Sequence, residues 1–99
     1  MTDVYVNVMQ HGRQLLVAAC DAEILGKKLK EGKIIFEVRE RFYKGSRMRV
    51  EEAITLIRDA TIVNIIGSNI VTNAIKAGLV HPEAILLISG VPHAQIVKL

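Results

Sequence analysis

The chain has 99 residues, enough for one domain with a small core, and we expect residues 1–99 to form a single compact unit. Its hydrophobic content of 51% and mean hydropathy of +0.32 are high for so short a chain, while its one cysteine excludes an internal disulfide and favours a reducing compartment. The formal net charge of +3 conceals an asymmetry, because residues 27–49 carry nine Lys and Arg against three Glu, a net +6, and the remainder carries −3.

Two apolar stretches resemble export or membrane signals, and neither fits. Residues 15–20 end on a cysteine, but the run is far too short for a signal peptide. Residues 60–75 are uncharged, but they are too few and too polar to span a bilayer. We therefore expect a cytoplasmic protein that does not contact a membrane. The apolar excess reflects either a tightly packed core or a surface that a partner, such as a second copy, covers.

The first half of the chain predicts strands joined by short turns. Alternation at residues 4–9 predicts a strand, and a turn at Gly12 leads to a buried strand at residues 15–19. Asp21 is expected to cap a short helical turn. A third strand is predicted at residues 34–38, whereas residues 39–49 lack apolar periodicity and are predicted to form a surface loop or an irregular hairpin.

The second half predicts two helices between strands. Residues 50–60 have an apolar stripe and acidic residues in the first turn, which indicates a helix. A strand follows at residues 61–66, and Ser68 is expected to cap a second helix over residues 69–77. Strands at residues 84–88 and 94–98 complete the order β-β-β-α-β-α-β-β. This order predicts an α+β domain, with a mostly antiparallel sheet and two helices packed on one face.

The first candidate site is the basic segment, which we define as residues 27–49. Arginine forks fit phosphate oxygens and an exposed tyrosine can stack on an unpaired base, so this segment predicts a polyanionic partner such as RNA. The alternative is a solvated loop whose cations pair with neighbouring glutamates. The candidate contact residues are Lys27, Arg39, Arg41, Tyr43, Lys44, Arg47 and Arg49, with Tyr43 as the stacking residue.

A second group of candidates consists of polar residues beside glycines. His93 and Gln95 point to one face of the last strand, where they either bind a ligand or satisfy backbone groups at a sheet edge. Asn64 and Gly67 lie where a strand runs into a helix N-terminus, a geometry that receives anions, although one glycine is not a phosphate-binding loop.

The residue pattern favours no catalytic, metal or cofactor site. Cys20 ends a buried-looking strand, which favours a structural thiol over a nucleophile. The histidines and carboxylates lack metal-ligand spacing, and no pair of carboxylates suggests acid–base catalysis. We therefore predict no catalytic residue, metal or cofactor.

An ordered set of short motifs extends over the whole chain. These motifs are Ala18-Ala19-Cys20-Asp21, Leu25-Gly26-Lys27, Phe42-Tyr43-Lys44-Gly45, Asn64-Ile65-Ile66-Gly67, Ala77-Gly78-Leu79-Val80 and Gly90-Val91-Pro92-His93-Ala94-Gln95. The set resembles a small archaeal family catalogued as domain of unknown function four-twenty-four. The resemblance implies a compact, cytoplasmic archaeal domain with a link to translation, and it brings no established activity. The motif positions that it marks as candidates are Asp21, Asn64, Gly67, His93 and Gln95.

Three functional hypotheses follow from the sequence. The first is a non-enzymatic RNA-binding protein, associated with the ribosome or translation, that uses the basic segment. The second is a protein-interaction or homodimerisation module, which the apolar excess suggests. The third is a small enzyme with a pocket formed by Asp21, Asn64, His93 and Gln95, which requires these distant residues to converge in space.

Overall fold

The computed structural model describes residues 3–98, which form eight strands and three helices. The strands are β1 (Asp3–His11), β2 (Gln14–Asp21), β3 (Lys28–Glu31), β4 (Ile34–Glu37), β5 (Ser46–Arg49), β6 (Ile62–Ile66), β7 (Leu86–Ile88) and β8 (Val91–Val97). The helices are α1 (Glu40–Tyr43), α2 (Val50–Asp59) and α3 (Ser68–Lys76). Two short 3-10 turns, Ala22–Ile24 and Pro82–Ala84, precede β3 and β7.

The centre of the fold is a six-stranded sheet with the order β5-β1-β2-β6-β8-β7. Only β2 and β6 pair in parallel, and the other four pairings are antiparallel. The predicted α+β class with a mostly antiparallel sheet is therefore confirmed. Strands β3 and β4 form a separate two-stranded hairpin, so the predicted third strand lies outside the main sheet.

One face of the sheet is covered by α2 and α3, as predicted. Both helices present apolar stripes to the alternating residues of β1, β2 and β6. The core on this face includes Val4, Val6, Val17, Ala19, Val50, Ala53, Ile57, Val63, Ile65, Ile70, Val71 and Ala74. Helix α2 begins where the backbone N–H of Arg49 donates to Glu52 Oε1 at 3.4 Å, within a first turn that also holds Glu51.

The other face of the sheet is covered by the chain between β2 and β5. Here the β3–β4 hairpin and α1 pack on a second buried cluster that includes Ala18, Cys20, Val38, Tyr43 and Ile66. Partly buried Leu29 and Phe36 of the hairpin contribute to the same cluster. The part of the basic segment that precedes β5 is therefore the covering layer of this sheet face, and its outer surface faces solvent.

The prediction of a surface loop or an irregular hairpin over residues 39–49 is wrong. This stretch forms α1 and then β5, which pairs with β1 and forms an edge of the sheet. Both elements have four residues, too few to produce an apolar period, and their conformation depends on contacts with β1 and β2. Gly45 joins them where a Cβ atom would collide with the carbonyl oxygen of Val6, so a side chain would prevent this close approach.

Two predicted caps are also wrong. Asp21 makes no side-chain hydrogen bond to the turn Ala22–Ile24 that follows it. Ser68 is the first residue of α3 and not its cap, since Gly67 occupies the N-cap position without a side chain. The strand predicted at residues 84–88 begins only at Leu86, because Pro82 starts a 3-10 turn.

Candidate nucleic-acid interface

All nine cations of the basic segment have exposed side chains. They are Lys27, Lys28, Lys30, Lys33, Arg39, Arg41, Lys44, Arg47 and Arg49. Leu29 and Phe36 form the buried side of the β3–β4 hairpin, so Lys28 and Lys30 point the opposite way, into solvent. These two lysines are not among the contact residues predicted from the sequence, although the alternation Lys28-Leu29-Lys30 indicates that they face solvent.

Three of these cations pair with carboxylates. Arg39 Nε lies 3.7 Å from Glu37 Oε1, and Lys44 Nζ lies 3.8 Å from Glu40 Oε2. A third pair joins Arg47 Nε to Asp3 Oδ2 at 3.0 Å. For the other six cations, no carboxylate of residues 3–98 lies within 4.0 Å. The alternative of a neutralised loop therefore holds for only a third of the segment's cations.

Strand β5 carries two of the arginines along the edge of the sheet. Arg47 pairs across the strands with Tyr5 and Arg49 with Asp3, so both side chains lie on the face that the basic segment covers. The guanidinium of Arg47 also lies 5.8 Å from the centroid of the Tyr5 ring. Such charges discourage another strand from pairing with this edge.

Tyr43 is buried, which contradicts its predicted role as a stacking residue. Only 2% of it is exposed, and its hydroxyl donates to Asn64 Oδ1 at 2.6 Å. Burial raises the pKa of this phenol, which stays protonated and acts as a donor. The neighbouring Phe42 packs edge-on against the Tyr43 ring at a centroid distance of 4.9 Å. The basic segment thus uses Phe42 and Tyr43 to attach itself to the sheet.

Asn64 and His93 complete the same attachment. His93 Nε2 lies 3.2 Å from Asn64 Oδ1, and its ring packs at 5.2 Å from the ring of Phe36 on the hairpin. Because that oxygen is an acceptor, His93 must donate through Nε2–H, and burial lowers the pKa of its ring. Gln95 is opposite Asn64 on β8, but its side chain is exposed. These contacts give Asn64 and His93 a structural role in holding the basic segment on the sheet.

Asp21 and Gly67 meet at the N-terminus of α3. The two carboxylate oxygens of Asp21 accept hydrogen bonds from the backbone N–H groups of Asn69 at 2.8 Å and Ile70 at 2.9 Å. A Cβ atom at Gly67, whose φ is +122°, would lie 2.6 Å from both oxygens. The anion that the strand–glycine–helix geometry predicts is therefore the protein's own carboxylate.

The sheet separates the four residues of the enzyme hypothesis. Asp21 pairs with Val4 in register and lies on the face of α2 and α3. Asn64, His93 and Gln95 lie on the opposite face, which the basic segment covers. The cavity that Asp21 lines and the cavity that His93 lines share none of the four residues, so the convergence that this hypothesis requires is not found.

Cys20 is fully buried in the cluster under the basic segment. Burial, with a smaller contribution from the neighbouring Asp21 carboxylate, raises the pKa of its thiol to about 12. A thiol in this state is a poor nucleophile. Residues 3–98 hold no group of three or more His, Cys, Asp or Glu side chains arranged to bind a metal ion.

The sequence and the fold of this chain both have matches among known proteins. The model of a family described as "Protein of unknown function (DUF424)" matches residues 9–99. The chain is similar to the crystal structure of an uncharacterized conserved protein from Methanopyrus kandleri, with 29% sequence identity and a TM-score of 0.83 over 98% of this chain and 94% of that one. Among curated proteins, no match is found. None of the helices in the described residues has the length and apolar character needed to cross a membrane.

Proposed function

The chain belongs to the DUF424 family of proteins of unknown function, and because membership brings no activity, we propose from its charge distribution that it is a non-enzymatic RNA-binding protein. The basic segment is the binding surface, and the phosphate backbone of RNA is its ligand. In this proposal the protein acts in the archaeal cytoplasm, bound to the ribosome or to another RNA of the translation machinery.

The observation that carries this proposal is the set of six exposed cations that have no carboxylate partner among residues 3–98. A cation that is paired with a carboxylate must leave that pair to bind a phosphate. An unpaired Lys or Arg is available to phosphate oxygens at once. The unpaired residues of the basic segment are Lys27, Lys28, Lys30, Lys33, Arg41 and Arg49. Five of them lie in the layer that covers one sheet face, and Arg49 lies on β5 with its side chain on that same face, while residues outside the segment sum to −3.

The burial of Tyr43 determines the kind of recognition that we propose. Without an exposed tyrosine, the surface offers charge and no stacking platform for bases. Contacts to phosphates position a protein on nucleic acid but carry no sequence information. We therefore expect sequence-independent binding with a dissociation constant on the order of 1–100 µM at physiological salt.

The test compares two triple variants that change the net charge equally. The first replaces three unpaired cations of the segment, Lys28→Ala, Lys30→Ala and Arg41→Ala. The matched control replaces Arg13→Ala, Arg58→Ala and Lys76→Ala, three exposed cations outside the segment. Binding to a single-stranded RNA is measured by fluorescence anisotropy over a series of salt concentrations.

We expect the first variant to bind more weakly and to show a shallower salt dependence. Each phosphate contact contributes about 0.7 to the slope of log K against log salt for single strands, so three lost contacts reduce the slope by about 2. The control should keep the slope of the unmodified protein. Salt-insensitive binding, or equal losses in both variants, would refute the proposal.

A second measurement addresses the ribosome. Co-sedimentation of the protein with ribosomes in archaeal cell extract should be lost with the segment variant and retained with the control variant. Prior nuclease treatment should abolish it as well. Association that survives nuclease but depends on the segment would point to an acidic protein as the partner.

A further inference from the structure

A cavity of about 200 Å³ lies between the β3–β4 hairpin and strand β7. Two residues with polar side chains, Glu31 and His93, contribute to its lining. An apolar cavity of about 150 Å³ is large enough to hold benzene, so this one has room for a single ring system. The apolar residues that line it are Ile34, Phe36, Leu86, Leu87 and Ile88.

Two contacts hold this cavity in shape. Glu31 Oε1 accepts from the backbone N–H of Ser89 at 2.6 Å, which ties the hairpin to the turn that follows β7. The rings of Phe36 and His93 also pack against each other, with their centroids 5.2 Å apart. Sites for small molecules are commonly preformed in this way, with apolar walls and a small number of polar groups.

His93 offers the cavity one hydrogen-bond acceptor. Its Nε2–H donates to Asn64 Oδ1 at 3.2 Å, so the neutral ring keeps a lone pair on Nδ1. No group of residues 3–98 donates to Nδ1, whereas every fully buried side-chain nitrogen or oxygen in this part of the chain has a partner. Nδ1 is therefore not closed off, although His93 is only 9% exposed, and the cavity that the ring lines gives access to it.

We propose that this cavity binds a small, neutral aromatic molecule with a single N–H or O–H donor, and that the donor bonds to His93 Nδ1. Indoles and phenols belong to this class. The apolar walls disfavour a ligand with several polar groups, because each group that enters without a partner loses its hydrogen bonds to water. The carboxylate of Glu31 disfavours an anion.

A titration of the full chain with indole, followed by NMR, tests the proposal. We expect a dissociation constant on the order of 0.1–1 mM. The nitrogen chemical shift of His93 Nδ1 should change, because that atom accepts the N–H of indole. Benzofuran has nearly the same shape, with an oxygen in place of the N–H. It should bind at least ~10-fold more weakly, since it presents one acceptor to another.

A pair of double variants locates the site. Ile34→Ala with Leu86→Ala removes two lining side chains, which are 65% and 61% exposed. The matched control, Ile35→Ala with Val97→Ala, removes two side chains that are 63% and 65% exposed and lie outside the lining. Because these residues are exposed, both variants should fold, which far-UV circular dichroism verifies. The first variant should bind indole about tenfold more weakly, and the control should bind it as the unmodified protein does.

Four outcomes would overturn the proposal. The first is the absence of any change at His93 up to saturation with indole, and the second is equal binding of indole and benzofuran. Equal weakening in the two double variants would place the indole elsewhere. Adenine is similar in size to indole but carries several donors and acceptors, so tighter binding of adenine would assign the cavity to an RNA base. The RNA-binding variants carry none of these substitutions, and the two proposals therefore fail or succeed separately.

Discussion

At the scale of single residues, the side chain of Asp21 occupies the anion site that the sequence predicts at the start of α3. The sequence predicts an anion site where β6 passes through Gly67 into α3. The anion is the Asp21 carboxylate, which satisfies two N–H groups that the helix itself leaves without acceptors. Burial raises the pKa of this carboxyl, whereas the N–H groups of Asn69 and Ile70 act in the opposite direction. The carboxylate therefore stabilises the first turn of α3.

We predict that Asp21→Ala lowers the free energy of unfolding by about 2 kcal/mol, since it removes the carboxylate that accepts from the N–H groups of Asn69 and Ile70 in the first turn of α3. Urea denaturation measures this loss. Glu23→Ala removes an exposed carboxylate two residues away and should change stability by less than about 0.5 kcal/mol. If both variants lose the same stability, the carboxylate of Asp21 acts through general electrostatics and not as a cap.

At the scale of elements, the sequence predicts α2 and α3 far better than the basic segment. Helices of 10 and 9 residues contain enough turns to show an apolar stripe, so the predicted and observed limits differ by only one residue at some ends. Strands β3 and β5 have four residues each and carry charges on exposed positions. Their conformation comes from β4 and β1, which pair with them, and no local pattern contains that information.

The covering role of the basic segment predicts the reactivity of Cys20. This thiol lies under Val38 and Tyr43, so a thiol reagent at pH 8 should label the native protein slowly, after the segment has opened. Val38→Ala weakens the packing of the segment and should accelerate labelling on the order of tenfold, since each 1.4 kcal/mol changes an equilibrium tenfold.

The same substitution on the other face of the sheet provides the control. Val71→Ala opens a cavity between α3 and the sheet, and it should accelerate labelling much less if the segment opens locally. Equal acceleration by the two variants would show that Cys20 is exposed only by global unfolding. Native-state labelling kinetics with each variant distinguishes the two cases.

At the scale of the whole molecule, the pKa of His93 links stability to pH. Burial lowers this pKa below the ordinary value of 6.5, so below pH 6.5 the unfolded chain binds a proton that the folded protein resists. The stability contribution is complete above pH 6.5 and is lost as the pH falls through the folded-state pKa. The free energy of unfolding should fall by up to about 1.4 kcal/mol per pH unit in this window.

Chemical denaturation at pH values from 5.5 to 7.5, on the order of one unit either side of the ordinary His pKa, tests this dependence. His93→Gln should flatten the pH profile, while His11→Gln, at an exposed end of β1, should retain it. The raised pKa of Asp21 has the opposite sign and acts at lower pH, above its ordinary value of 3.8. A profile that His93→Gln leaves unchanged would assign the dependence to another group.

The sequence by itself determined the features that depend only on residues close together in the chain. These are the apolar stripes of α2 and α3, the alternation of β1, the buried character of Cys20 and the concentration of cations in residues 27–49. Only the tertiary structure decided which side chains meet across the sheet. Asp21 caps a helix 49 residues away, and Tyr43 turns its hydroxyl inward to Asn64, 21 residues away. These pairings depend on strand order and on which face each residue occupies. A shift of one residue along a strand moves every side chain to the opposite face. Long-range packing therefore decides which residues are buried and structural and which are exposed and able to bind.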